Sequence, residues 1–231
     1  MLLAEDLLLL LTDDASGRPV LDGTRLDLVL AGAVVLELAV VGRADVTGPG
    51  EPVRAGRLVA RDPSPTGDQV LDEALRRIAA RRPSKPETVL PGLAKQLRPA
   101  LLARLTERGI LRAEEGRVLG IFPTRAWPAT DSSHEDGVRR GLHEVLVVGR
   151  APAPREAALI SLLDAAGQVP KVLAGSGVDR RELRRRARDI AAGEFAGGEF
   201  AGAAVRRAID AVTAATMVAI SAGAVAASGG S

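Results

Sequence analysis

"DGTRLDLVLAGAVVLELAVVGR", residues 22–43, decides the fold. Asp22 or Thr24 can cap the start of a helix here, and Gly42 can close it. Between them the chain is apolar on nearly every side, so the helix belongs in the centre of a helical domain rather than on its surface. Glu37 is its one odd residue. A buried charge needs a partner, and an arginine such as Arg43 would supply one. No second acid stands at a spacing that would make Glu37 a general acid or base.

The flanks follow from this centre. "AEDLLLLLTDD" (4–14) places Leu7–Leu11 between acidic pairs. No lysine or arginine precedes Arg18, so the run lacks the positive start of a secretion signal. It is also far short of the ~20 apolar residues of a spanning helix. It reads as a short core element. "RADVTGPGEPVRAGRLVARD" (43–62) alternates around Gly-Pro punctuation and predicts a small hairpin with strands Ala44–Val46 and Arg57–Ala60.

In "SPTGDQVLDEALRRIAARRP" (64–83), Ser64 or Thr66 starts a helix with acids early and arginines late, an order that suits the helix dipole. Residues 86–109 predict a short helix and a longer one. Leu93, Leu97, Leu101 and Leu105 form a buried stripe, Pro99 kinks or restarts the helix, and Gly109 ends it. Residues 110–133 predict a second hairpin turning at Glu115-Gly116, then an irregular stretch.

The remainder reads as helical. Ser132 with Glu135 has a capping-box spacing, Pro154 suits a first helical position, and Asp179 with Glu182 has the spacing of an N-terminal cap. The tandem "GEFAG" (193–202) reads as a loop duplication. "AIDAVTAATMVAISAGAVAAS" (208–228) carries no charge after Asp210, yet it is built from Ala, Thr, Ser and Gly. That composition favours a buried central helix over a membrane span.

Composition agrees with this architecture. Of 231 residues, 46% are hydrophobic, but only three are Phe, one is Trp and none is Tyr. Leu, Val and Ala suit helix-on-helix packing. There is no cysteine, which removes disulfides, thiol catalysis and Cys-ligated zinc. Net charge is +2, and lysine occurs only at 85, 95 and 171, so the positive charge is nearly all arginine.

No phosphate-binding loop, nucleophile elbow or dinucleotide fingerprint occurs, and neither an enzymatic role nor a cofactor is expected. His134 and His143, nine apart, do not share a helix face for a metal and are expected in solvent. The six arginines within 180–188 read as a solvated face. Phe122 and Trp127 are two of the four aromatics and could form an interfacial wedge.

Several motifs together carry a resemblance. "SPTGDQVLDEALRRI", "AEDLLLLLTDD", "LELAVVGR", "LTERGIL" and "AVRRAIDAVTAA" resemble, in order and spacing, the Golgi phosphoprotein 3 family in its bacterial form, from about residue 4 to residue 222. "PTGDQVLDEAL" followed about thirty residues later by "ERGIL" is the most specific part.

The resemblance implies a mainly α single domain, residues 1–222, with a C-terminal tail at 223–231. It would be a helical bundle wrapped by amphipathic helices with small β-hairpins. It also implies a non-catalytic peripheral membrane protein that binds phosphatidylinositol 4-phosphate or another anionic phospholipid from the cytoplasmic side. Cytosolic tails of membrane proteins are a further partner class, and the hairpin offers a route to an oligomer. The family's paired basic residues fall on Lys95 and Arg98, whose i, i+3 spacing sets them side by side on a continuous helix. Its arginine and tryptophan positions fall near Ala31 and Asp22, where neither residue type is present, leaving Arg25 and Arg18 as substitutes. Its membrane-inserting hairpin corresponds to about Leu119–Pro128, with Leu119, Ile121, Phe122 and Trp127.

A second reading is a nucleic-acid-binding regulator. Leu93–Arg108 and the following hairpin have the helix-then-wing order of a winged helix, and the arginines of 180–188 could track phosphates. The helix is leucine-rich, with Gln96 as its only amide, so nucleic acid is not the expected partner.

Overall fold

A computed structural model describes residues 1–118, 122–193 and 202–228. The order is α1 (Leu3–Leu10), α2 (Gly23–Val40), β1 (Ala44–Val46), β2 (Leu58–Ala60), α3 (Gln69–Ala79), α4 (Pro86–Ala94), α5 (Leu97–Glu107), β3 (Glu114–Val118), β4 (Phe122–Ala126), α6 (Ser133–His143), α7 (Pro154–Ala165), α8 (Val169–Val172), α9 (Arg180–Ala191) and α10 (Ala203–Ser228). Glu144–Val148 extends α6 as a π-helical turn. The chain is mainly helical, with two antiparallel hairpins, β1–β2 and β3–β4.

The opening stretch forms the axis of the domain. Asp22 caps α2, its carboxylate accepting from the Arg25 amide at 3.0 Å. Leu28 to Ala39 are buried without a break. The helices α1, α3, α4, α5, α7 and α10 all pack on α2, as does β1. The leucine run is core, as its flanks indicate: Leu3 to Leu10 are all buried. Around this centre lie amphipathic helices, with Leu71, Leu75 and Ile78 of α3 and Leu183, Ala187 and Ile190 of α9 turned inward.

Local departures from expectation have local reasons. Neither Ser64 nor Thr66 caps α3. Asp68 does, accepting from the Val70 and Leu71 amides, while Thr66 binds Asp72 and braces the entry. The Ser132–Glu135 capping box does not form. The Ser133 amide donates to Asp131, and Glu135 turns inward to Arg139. Asp179 does cap α9, but Glu182 bonds Arg185 and Arg186 rather than the cap.

The second hairpin does not turn at Glu115-Gly116. Glu115 faces Arg125 and Gly116 faces Thr124 in an unbroken ladder from Glu114↔Ala126 to Val118↔Phe122. The pairing therefore continues past Gly116 to Val118, and β4 begins at Phe122; residues 119–121 join the two strands. Those residues lie outside the described ones, as does the tandem repeat over 194–201.

Along the Ala-rich C-terminal helix, Ile220 packs partly against the core. Ala208, Ile209, Val212, Ala215 and Thr216 are covered, whereas Met217 and Val218 are exposed. Among the described residues no helix is long and apolar enough to cross a membrane.

Candidate functional site

A cleft of about 800 Å³ opens where three segments meet. The loop after α1 gives Thr12, Gly17 and Pro19, α5 gives Arg98, Pro99 and Leu102, and the second hairpin gives Arg125 and Trp127. The junction depends on Gly17. It adopts φ +61°, and a Cβ there would stand 2.3 Å from the Pro128 nitrogen. Only glycine allows that approach. Its carbonyl accepts the Trp127 amide at 2.9 Å, and Asp14 accepts the Ala129 amide at 3.2 Å. These contacts tie the base of the hairpin to the N-terminal loop.

Arg98 stands in the first turn of α5. Pro99 follows it there, where a missing N–H leaves no helical bond unmade. The Arg98 guanidinium reaches across to the start of α2, within 3.3 Å of where a Cβ on Gly23 would lie. Its Nε is 3.0 Å from the Asp27 carboxylate. Burial raises the Asp27 pKa above the usual carboxylate value, and Arg98 only partly opposes this. The amino end of α2 also carries partial positive charge, so Arg98 sits where an anion is favoured.

The other basic residues singled out in the sequence are spread around this corner. Arg25 is half-buried and held by Asp22 at 3.1 Å. Arg18 is exposed on the loop between Gly17 and Pro19. Lys95 is not beside Arg98. α4 ends at Ala94, and Gln96 takes a left-handed conformation, φ +62°, before α5 begins. That break turns Lys95 into a separate cleft, beside α3. At the family's arginine and tryptophan positions, Ala31 is wholly buried in α2 and Asp22 is its cap.

Trp127 follows the end of β4 and packs, partly buried, against the core at the base of the hairpin. The backbone of Phe122 opens β4 beside the turn, and Leu119 and Ile121 lie outside the described residues. Arg125 was not singled out by sequence reasoning. The ladder sets it beside Glu115 at 3.3 Å and on the rim of the cleft. The sequence carried no signal for it, because a turn expected at Glu115-Gly116 left Arg125 in an irregular stretch rather than in a strand.

Elsewhere the charged side chains form structural pairs. Glu37 pairs with Arg155, not with Arg43, which holds Asp62 instead. Arg155 also holds Asp6 at 2.9 Å. His134 is only half exposed and bonds Asp6 at 2.7 Å, so it is a partner of α1 rather than a solvent residue. His143 is also partly covered. Within α9, Arg185 and Arg186 bind Glu182, and Arg186 also caps the carbonyls of Leu146 and Val147. On α5, Leu101, Leu102 and Leu105 are buried, and Pro99, Ala100, Ala103 and Glu107 are outward. That outward face offers few groups for reading base edges. Among the described residues no group of His, Asp and Glu is arranged to hold a metal.

The chain matches the Golgi phosphoprotein 3 (GPP34) family over residues 3–212. It belongs to that family. The match spans every element from α1 into α10, so the cleft is built within the family domain. No curated protein matches the chain.

Proposed function

We propose that this Golgi phosphoprotein 3 family member is a non-catalytic peripheral membrane protein that takes an anionic phospholipid headgroup at the cleft beside α5. One observation carries the reading. Arg98, Arg125 and Trp127, from separate elements, border one cleft at the base of the β3–β4 hairpin, and the sequence "VLGIF" (118–122) that links the strands has no charge. The arginines meet phosphate, Trp127 suits the boundary between headgroup and acyl chain, and the uncharged linking sequence has the composition to enter the bilayer.

Arg18 and Arg25 stand near enough in sequence and fold to add to the field. A basic group near an anionic surface contributes ~1 kcal/mol. A few such groups with a shallow wedge give weak, reversible attachment to the cytoplasmic face of a membrane. Phosphatidylinositol 4-phosphate is the headgroup the family resemblance favours. Cytosolic tails of membrane proteins held at that surface are the second partner class.

The test is vesicle co-sedimentation. Neutral vesicles are compared with vesicles carrying phosphatidylinositol 4-phosphate, phosphatidylinositol or phosphatidylglycerol. Preference for the 4-phosphate at matched surface charge supports a specific headgroup pocket. Equal binding to all anionic vesicles reduces the site to a basic surface, and no binding removes the reading.

A further inference from the structure

A second cleft, of about 380 Å³, lies on the other side of α5, between α3 and the α4–α5 joint. Its floor is Val34, Leu93 and Leu97, with Val70 and Ala74 on one wall and Ala100 on the other. None of these side chains offers a polar atom, so the floor suits a hydrocarbon rather than a sugar or nucleotide.

The rim carries the charge. Arg77 and Arg104 are already committed. Arg77 binds Glu73 at 2.7 Å and donates to the Gly92 carbonyl, and Arg104 binds Asp68 at 2.7 Å and Glu5 at 2.9 Å. Lys95 is exposed on the same rim and makes no ion pair among the described residues. Glu107 also lines the cleft without an ion pair among the described residues, but it stands ten residues along α5 from Leu97, about 15 Å away. At the joint, one uncommitted cation over an apolar floor therefore matches one negative charge on an apolar tail.

The joint points the same way. Gln96 is the one non-glycine residue with positive φ among the described residues. Glycine would adopt that conformation without steric cost. A long amide is placed there instead, on the rim beside Lys95, where it can bond an oxygen of a bound group.

We propose that this cleft binds the acyl chain of a single anionic amphiphile of the fatty-acid type, with Lys95 and Gln96 at its charged end. The site is distinct from the headgroup cleft and does not depend on it. The same chemistry could come from a free fatty acid or from one chain of a membrane phospholipid.

The experiment titrates the full chain with cis-parinaric acid, a fluorescent fatty acid, and displaces it with oleate. Ala100→Trp fills the cleft from an outward position that folding should tolerate. Lys95→Glu reverses the rim charge. Circular dichroism confirms that each variant is folded. The expected result is saturable binding displaced by oleate, weakened about tenfold or more by each substitution, and unchanged by Arg125→Glu. Absence of saturable binding, or wild-type affinity in both folded variants, overturns the proposal. Phosphatidylglycerol vesicles separate the two sources. Free oleate competing with those vesicles for the wild type, but not for Ala100→Trp, would assign the chain to membrane lipid. Oleate binding without such competition assigns it to free fatty acid.

Discussion

Single residues decide whether the cleft exists and how strongly it attracts anions. Gly17 fixes the geometry, because both its φ of +61° and its contact with Pro128 exclude a side chain. Gly17→Ala is expected to cost about 3 kcal/mol in a urea titration, from strain and displacement of the hairpin base. Loss of under half that value would mean the loop and hairpin are not locked together. Asp27 sets the charge. It shares Arg98, and burial holds its pKa above the usual value. Asp27→Asn should therefore strengthen binding to anionic vesicles by several-fold, since Arg98 loses its counter-charge. The wild type should show the same gain as pH falls through the raised pKa of Asp27, because protonation removes that charge too. Binding that is insensitive to both changes would place Arg98 outside the site. At this scale the sequence was only partly readable. Asp22, Gly42 and Pro154 act locally and show their roles in their neighbours. Glu37 does not, because its partner Arg155 is brought in by α7.

At the scale of elements, the anchoring of α1 is the most consequential interaction. Arg155 of α7 holds both Asp6 and Glu37, and Asp6 also takes His134 from α6. Arg155→Ala leaves two buried carboxylates without that cation, and is expected to cost about 3–5 kcal/mol. A thermal or urea unfolding curve measures it directly, and a loss near zero would show that Arg155 does not anchor α1. α6 carries a second, pH-dependent interaction. Burial pushes Glu135 up to about 7, with Asp14 adding to the rise and Arg139 opposing it. The folded state therefore keeps a proton that the unfolded chain releases near the ordinary 4.5. This contribution to stability is complete below that value and is lost as pH rises through about 7. Unfolding free energies of Glu135→Gln should vary less with pH across this window than those of the wild type. Equal slopes would mean Glu135 ionises normally in the fold. Helix positions were legible from leucine spacing and from the caps Asp22 and Asp179, whereas the caps expected at Ser64 or Thr66 and at Ser132 did not form. The hairpin turn was not legible, since the Glu115-Gly116 pair looks like a turn and only the pairing of β3 with β4 shows that the ladder runs past it.

For the whole molecule, the apolar 22–43 stretch predicted a central helix, and α2 is the helix on which α1, α3, α4, α5, α7 and α10 pack. What the sequence could not show was how the basic residues group. Lys95 and Arg98 are three apart, yet the left-handed turn at Gln96 sends them to different clefts. Arg98 and Arg125 are far apart in the chain and border the same one. The pairing that matters for an anionic surface is therefore tertiary. Co-sedimentation of the wild type and of Arg98→Glu with Arg125→Glu, on neutral and phosphatidylglycerol vesicles, tests this most directly. The wild type is expected to pellet with the anionic vesicles only, and the double variant, folded by circular dichroism, to stay in the supernatant. A folded double variant that pellets as well as the wild type would contradict it.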